Sequence, residues 1–574
     1  MTYLTNSSSN FATDAVSGLV ASHPDYLQQV HGGVVRSTQT PKGQPALVIG
    51  GGSGHYPAFA GWVGQGMGHG APCGNIFASP SASQVYSVAR NAENGGGVLL
   101  GFGNYAGDVL HFGAAAEKLR TEGIDARIVK VSDDIASNTQ ENHRDRRGIA
   151  GDLPVFKLVG AAIEAGADID EAERIAIKAN DATRSFGLAF DGCTLPGAEE
   201  PLFHVPEGQM AVGLGIHGEP GVRDVPMGSA NDVADLLFDG IAEEIPEDRT
   251  GRVAVLVNGL GTVKYEELFV VYGRLAQRFE EAGLIPVRPE VGEFVTSLDM
   301  AGLSLTLVFL DEELEELWTA PVDTPAYRRG ALAGLAQASE LASRESIFTP
   351  GEEEVPPAAA ESQELASRLQ GVLAMIAGLC AEHDEEWGAI DAIAGDGDHG
   401  QGMVLGSKGA EEAGAKALER GAGARTILVH AGTAWAESAG GTSGALWGAA
   451  LTAAGGALSD DSAADAAAVV AALTSAVGAV RRLGGAQPGD KTMIDAAVPF
   501  AETLERDFER SAALGESVAS AAAAATEAAA QTAELTARLG RSRVLGERSL
   551  GTPDPGAVSF SQLMTALAER LEGK

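Results

Sequence analysis

The chain has 574 residues, 45% of them apolar but only 5% aromatic, and 78 acidic side chains against 40 basic ones give a formal charge of −38. That length has room for about three to four domains, and the charge excludes non-specific nucleic-acid binding and attraction to an anionic membrane surface. Three widely spaced cysteines (Cys73, Cys193, Cys380) suggest neither a disulfide framework nor a zinc site. With no secretory pattern at the amino terminus and no uncharged apolar run of spanning length, the expected setting is cytoplasmic.

In chain order, apolar or β-branched runs at 46–49, 97–102, 126–131, 186–190, 252–257 and 303–309 read as strands, with helical patterns such as 155–165 and 265–282 between some of them. This alternation predicts an α/β region over residues 1–340, in subdomains of about 1–190 and 191–340, with ligands at the glycine-rich strand ends. Residues 341–364, rich in acid, proline and alanine, read as a solvated linker. Beyond it β-branched runs nearly vanish. Alanine-rich helical patterns at 366–380, 403–418, 463–483 and 511–539 predict an all-α domain over 365–574.

The first motif, Gly50-Gly-Gly-Ser-Gly-His55-Tyr-Pro57, directly follows the strand at 46–49. Gly52, Ser53 and Gly54 let backbone amides approach an anion or a polar sugar, and His55 is placed to act as acid or base. The spacing does not match the dinucleotide fingerprint. Gly103-Asn104-Tyr105-Ala106-Gly107-Asp108 follows the next strand. Asn104 and Asp108 are candidates to bind hydroxyls, and Asp108 to orient His55, although both residue types equally cap a helix expected from Val109. Asp133 and Asp134 read as turn caps. In the stretch from Met210 to Gly221, His217 stands among glycines, accessible enough for a neutral imidazole to attack a ketone carbonyl. Taken alone, each pattern is also that of a structural turn.

Past the linker, Asp391-Ala-Ile-Ala-Gly-Asp396-Gly-Asp398-His399-Gly400 closes an apolar helical pattern at 369–390 with three carboxylates and a glycine turn. Mg2+ takes such an oxygen set, with substrate phosphates completing its shell. An acidic surface turn is the plainer alternative. Gly440-Gly441-Thr442-Ser443-Gly444, ahead of a helical pattern at 446–454, offers amides and hydroxyls to phosphates. Gly489-Asp490-Lys491-Thr492-Met493, and Arg548 with Asp554-Pro-Gly556, add polar turns, and together with the aspartates they outline a nucleotide site.

Residues 10–335 resemble the substrate-binding subunit of dihydroxyacetone kinases through the segments 50–57, 74–80, 104–108, 146–151 and 213–221. Residues 365–574 resemble that family's nucleotide-binding subunit through 395–400, 440–444, 489–493, 546–549 and 554–557. The resemblance implies ATP-dependent phosphorylation of a terminal hydroxyl of a short-chain ketose held as a covalent hemiaminal on His217. His55 and Asp108 would handle hydroxyl-proton transfer and orientation, with Gly52, Ser53, Gly54, Tyr56, Gly103 and Asn104 around the substrate. Asp391, Asp396 and Asp398 match acids that hold two Mg2+ ions on ATP. His399, Gly440, Gly441, Thr442, Ser443, Gly489, Asp490, Thr492, Met493, Arg548, Asp554 and Gly556 would surround the nucleotide. Fusion of both parts implies use of free ATP with no phosphocarrier protein, and a homodimer that pairs each substrate domain with the other chain's nucleotide domain.

Two departures bear on the substrate. Tyr56 stands where many of these kinases carry glutamate, and Gly103 where the bacterial form carries lysine. Exchanging a long cation for glycine removes a donor and opens volume, so erythrulose is the expected substrate, with dihydroxyacetone the alternative. An FAD-splitting cyclase side activity and a non-catalytic ketose-sensing protein are the remaining readings. Intact His217 and the three aspartates speak against the last.

Overall fold

Every apolar run that reads as a strand is one. In the computed structural model, which describes residues 4–219, 221–247, 250–330, 355–393, 397–538 and 548–573, the chain divides into two units, residues 1–337 and 338–574.

The first unit contains two main sheets. β1 (Leu27–Val30), β2 (Gly33–Arg36), β3 (Ala46–Ile49), β4 (Gly51–Ser53), β5 (Gly70–Ile76), β6 (Val98–Gly103) and β7 (Ala126–Val131) form one in the order β1-β2-β5-β3-β6-β7, with β4 beside β5. Strands β5, β3, β6 and β7 run parallel, and a parallel sheet needs cover on both faces. Alternation along the strands supplies it. Val48, Val98 and Leu100 pack with Val85 and Phe112 of the helices Ala82–Ala92 and Ala106–Thr121, whereas Leu47, Ile49 and Leu99 join Leu153 and Phe156 of the helix Asp152–Glu164. The C-terminal ends of β4 and β6 thus deliver the first two glycine loops.

β8 (Thr183–Asp191), β9 (Gln209–Val212), β10 (Arg223–Pro226), β11 (Arg252–Gly259), β12 (Ile285–Pro286), β13 (Glu290–Gly292) and β14 (Ala301–Phe309) form the second sheet, ordered β10-β9-β8-β14-β11-β12, with β13 on β11. A subdomain boundary near 190 is therefore too late. β8 is central to this second sheet, because its inward-facing Phe186 and Leu188 share a core with Val255, Leu303 and Leu305. The two sheets are stitched where Ser185 N–H donates to Asp133 O (2.8 Å) and Ile135 N–H to Ser185 O (3.1 Å).

Described secondary structure in the second unit is helical: Ala360–Glu382, Asp384–Asp391, His399–Glu419, Ala424–Ala439, Gly441–Gly456, Ala466–Gly484, Ile494–Glu509, Leu514–Gln531 and Pro555–Glu572, with a 3-10 turn at Thr532–Glu534. Small residues let neighbouring helices approach. A Cβ on Gly432 or on Gly448 would lie 2.6 Å from the other's carbonyl oxygen. Three boundaries differ from the sequence expectation. The last turn of the expected linker is already helix from Ala360, while 341–354 lie outside the described residues. The pattern at 369–390 breaks at His383 into two helices. The helix expected to reach 539 stops at Gln531, where the Thr532 hydroxyl donates to Ala529 O (2.6 Å) and accepts Asp554 N–H (2.8 Å), tying the chain to the start of the final helix.

Ala360–Glu382 and Ala466–Gly484 are long and apolar enough to cross a membrane by length and composition alone, although charged residues interrupt both before an uncharged run of spanning length is reached. Their apolar faces, including Leu369, Ile376, Leu473 and Val480, line a cavity of about 630 Å³ among the helices.

Candidate active site

Two histidines 162 positions apart meet in the first unit. Past β4 the backbone reverses at Gly54 (φ +105°), where a Cβ would press within 2.8 Å of the Phe77 ring, so only glycine lets the loop close over it. The reversal buries His55. Its Nδ1 lies 2.7 Å from Thr296 O and its Nε2 3.0 Å from His217 Nε2, with Phe77 stacked on the ring at 5.0 Å between centroids.

His217 is held from the other side. Its Nδ1 lies 3.1 Å from Glu219 Oε1, and Glu219 Oε2 accepts the His217 backbone N–H at 3.0 Å. Gly215 leaves room for this carboxylate, since a Cβ there would fall 2.2 Å from Glu219 Oε2 and displace it. Arg147 donates to Asp134 Oδ2 (2.9 Å) and brings a second nitrogen to 4.0 Å from Glu219. Asp134, which reads as a turn cap, therefore anchors the cation that faces Glu219. Burial opposes ionisation of Glu219, but the hydrogen bond and charge of His217 outweigh it and hold the carboxyl down at about 2.

The hydrogen-bond pattern assigns the protons. Both Nδ1 atoms face oxygen acceptors and so carry hydrogen. The 3.0 Å Nε2–Nε2 contact is then within reach for the two rings to share one proton. Burial, and then the neighbouring His217, push His55 down to about 3.

Asp108 does not orient His55, whose nitrogens are taken by Thr296 and His217. Nor does it mark a helix start at Val109: the helix begins at Ala106, and Asp108 lies in its first turn, turned toward Ser79. Burial pushes its carboxyl up to about 6, against the lowering effects of Ser79 and His217, and Oδ1 has no hydrogen-bond partner. Ser53 and Asn104 brace loops: Ser53 Oγ donates to Gly74 O (2.6 Å), and Asn104 Nδ2 donates to Arg146 O (2.8 Å) and Arg144 O (3.3 Å). Gly52 has no room for a side chain, since a Cβ would meet Ala78 N at 2.8 Å. Tyr56 is half exposed, and Gly103 is the buried last residue of β6. Tyr105, edge-on to His217 at 4.6 Å between centroids, joins the site unforeseen, as do Phe77, Thr296 and Glu219.

In the helical unit Asp391 ends its helix, and its Oδ2 accepts Gly397 N–H (2.9 Å), while Asp398 immediately precedes the helix His399–Glu419. Asp396 lies outside the described residues, and among those described no three His, Cys, Asp or Glu side chains gather as a metal cage. Burial pushes the Asp554 carboxyl up to about 7; its bond from Ala557 N–H opposes this, while the nearby charges of Asp495 and Asp391 add to it. Carboxylate oxygens such as those of Asp391 and Asp398 are the donor type that Mg2+ takes.

Gly440 and Gly441 both have positive φ (+59° and +58°) and start the helix Gly441–Gly456, so Thr442 and Ser443 occupy its first turn rather than a loop before it. Amides at such a terminus lack helical partners and suit phosphate oxygens. The turn 489–493 is partly self-satisfied: Gly489 N–H (2.5 Å) and Thr492 N–H (2.8 Å) donate to Asp495, and Asp490 accepts Gln487 N–H (2.8 Å). Lys491, with φ +61°, turns inward and donates to Ser549 O (2.5 Å), Thr552 O (2.8 Å) and Leu535 O (3.1 Å), clamping this turn to the late polar segment. Gly556 lies against Met493, 3.4 Å from a Cβ at Gly556 to the Met493 Cβ. His399 is buried with Nε2 3.0 Å from Ser559 Oγ, and Arg548 is exposed.

A Dak1 domain model matches residues 17–326 and a DAK2 domain model residues 393–569. The chain is 68% identical over 575 residues to an L-erythrulose 1-kinase of Mycolicibacterium smegmatis, covering 100% of both. It is 50% identical over 574 residues to a D-erythrulose kinase of the same organism, covering 99% of this chain and 98% of that one. The crystal structure of the dihydroxyacetone kinase from C. freundii in complex with AMP-PNP and Mg2+ superposes with a TM-score of 0.60 at 29% identity, over 99% of each chain.

Proposed function

We propose, for a chain that belongs to the dihydroxyacetone kinase family and is thereby an ATP-dependent ketose kinase, that the preferred substrate is L-erythrulose and that its C1 hydroxyl is phosphorylated. The similarity of 68% to an L-erythrulose 1-kinase favours this choice, as does the absence of a side chain at Gly103.

The observation that carries the mechanism is the line of groups Thr296 O, His55, His217 and Glu219, joined at 2.7, 3.0 and 3.1 Å. His55 takes the proton from His217 Nε2, freeing that lone pair to attack the ketone carbon. The C–N bond forms as the carbonyl π bond opens, and His55 returns the proton to the developing oxyanion. The product is a hemiaminal whose ring charge lies against the Glu219 carboxylate. Fixing the ketone this way makes the later phosphoryl transfer effectively unimolecular on the sugar side. Asp108, ionised above about pH 6, accepts the proton of the C1 hydroxyl as its oxygen attacks the γ-phosphorus of ATP and ADP departs.

Asp391, Asp396 and Asp398 would hold two Mg2+ ions on the ATP phosphates, with the amides at Gly440 to Ser443 beside them. When bound, the metal neutralises charge on the transferred group. A homodimer using free ATP in the cytoplasm, without a phosphocarrier protein, completes the reading; light scattering and turnover with purified components alone test it. The substrate assignment is tested by kcat/KM for L-erythrulose, D-erythrulose and dihydroxyacetone with ATP and Mg2+. L-Erythrulose should exceed dihydroxyacetone by at least about tenfold, one kinetic decade being 1.36 kcal/mol. A larger value for dihydroxyacetone overturns it.

A further inference from the structure

Behind the relay lies a carboxyl group that the mechanism does not use. Asp152 is 2% exposed and opens the helix Asp152–Glu164, and its Oδ1 has no hydrogen-bond partner. Burial, together with the charges of Asp133 and Asp108, pushes it well above the usual carboxylate range, toward the protonated form that can donate as well as accept. Buried polar atoms in folded proteins find partners, and an orphan beside a functional site marks a missing one.

Its surroundings indicate what that partner is. A Cβ built on Gly103 would stand 3.4 Å from Asp152 Oδ2, 3.4 Å from Tyr105 Cε2 and 3.4 Å from Gly148 O, which is ordinary contact on every side. The missing side chain thus leaves a gap of about one methyl or hydroxyl group. Tyr105 forms one wall of it, packs edge-on to His217, and has a buried hydroxyl that is also unpartnered. Asp108 Oδ1 is the third orphan of the set. A ketose joined to His217 through C2 carries two arms. If the C1 arm meets Asp108, the other points along Tyr105 toward Gly103.

Resting on the reading of the substrate as a four-carbon ketose, we propose that Asp152, Tyr105 and the gap at Gly103 form the subsite for the C4 hydroxyl of erythrulose, with Asp152 as its specificity-determining residue. A residue with any larger side chain at 103 would fill the gap, and dihydroxyacetone has no group to place there. The unpartnered carboxyl of Asp152 hydrogen-bonds the C4 hydroxyl, so the subsite favours the longer ketose.

The probe is 1,3-dihydroxybutan-2-one, the four-carbon ketose lacking the C4 hydroxyl, compared with L-erythrulose in kcat/KM. The wild-type enzyme should favour erythrulose about tenfold, the upper range for a neutral hydrogen bond and its orphaned partner. In Asp152→Ala the ratio should collapse to within about twofold through loss on erythrulose alone. Asp152→Asn, which keeps donor and acceptor, should retain it. Should the alanine variant fold poorly by thermal melting, Gly103→Ala, whose methyl group takes up the gap against the acid, should lower the ratio of kcat/KM for L-erythrulose over dihydroxyacetone about tenfold. An unchanged ratio in Asp152→Ala, or equal loss on both ketoses, would overturn the subsite. Failure of the wild type to phosphorylate any four-carbon ketose would overturn the substrate reading itself, and is seen without any variant.

Discussion

Replacing Glu219 by glutamine isolates the anionic end of the histidine relay. The amide keeps the shape and can still accept the His217 backbone N–H, now at 3.0 Å, but removes the charge 3.1 Å from Nδ1. A hydrogen bond to a charged group contributes about 1.5–3 kcal/mol. Because the Glu219 side chain is 27% exposed, the lower half of that range applies, and about 1.5–2 kcal/mol corresponds to a ~10–30-fold fall in kcat/KM. With its carboxyl held at about 2, the wild-type residue is ionised throughout the working pH range, so the loss should not vary between pH 6.5 and 8.5. The assay is coupled ADP release with L-erythrulose varied at saturating ATP and Mg2+. KM for ATP should be unchanged. A fall of less than about twofold would refute the charge pairing, and a matching rise in KM for ATP would instead report a disturbed fold.

Four further outcomes are expected. The raised value of about 6 at Asp108 means that kcat/KM should fall with a one-proton slope below about pH 6 as the base is protonated; a flat profile down to pH 5 would remove Asp108 from the proton-accepting role. Since burial favours the neutral form, the stability linked to Asp108 is present below its unfolded value near 4 and lost as pH rises through about 6. Asp108→Asn should thus abolish turnover while gaining melting temperature over wild type as pH goes from 5 to 7, and no gain would contradict the burial cost. Lys491→Met orphans three carbonyls and should cost the helical unit about 2–3 kcal/mol in urea unfolding while raising KM for ATP; unchanged stability would contradict the clamp. Asp391→Ala and Asp398→Ala, like chelation by EDTA in the wild type, should eliminate Mg2+-dependent ATP binding in calorimetry with ketose binding intact, and equal loss of both would point to misfolding.

Much of this molecule is legible in its sequence where local physics decides. β3 and β6 are short apolar runs bounded by glycine or proline, β7 is a run with Ile and Val at its centre, and a covered parallel sheet has few other ways to be written. The glycine loop after β4 was visible for the same reason, because the backbone at Gly54, with φ +105°, excludes other residues. What escaped depends on distant partners. Nothing local links His55 to His217, or says that Thr296 and Phe77 close the same pocket. Glu219 was in view two residues past His217, and the i, i+2 spacing on a glycine turn was the available signal. Lys491 reads as a charged turn residue and is buried, and the Asp108–His55 contact was lost because Thr296 O takes the nitrogen first. Asp396, the middle of the three aspartates, lies outside the described residues.

The role of His217 is most directly tested by the ketone carbon itself. Wild-type enzyme mixed with erythrulose labelled with 13C at C2, without ATP, should move the bound carbon resonance from the carbonyl region to the tetrahedral region, and His217→Ala should leave it at the carbonyl position. An unshifted carbonyl on the wild-type enzyme under saturating ketose, or the same tetrahedral signal in His217→Ala, would contradict covalent capture by this histidine.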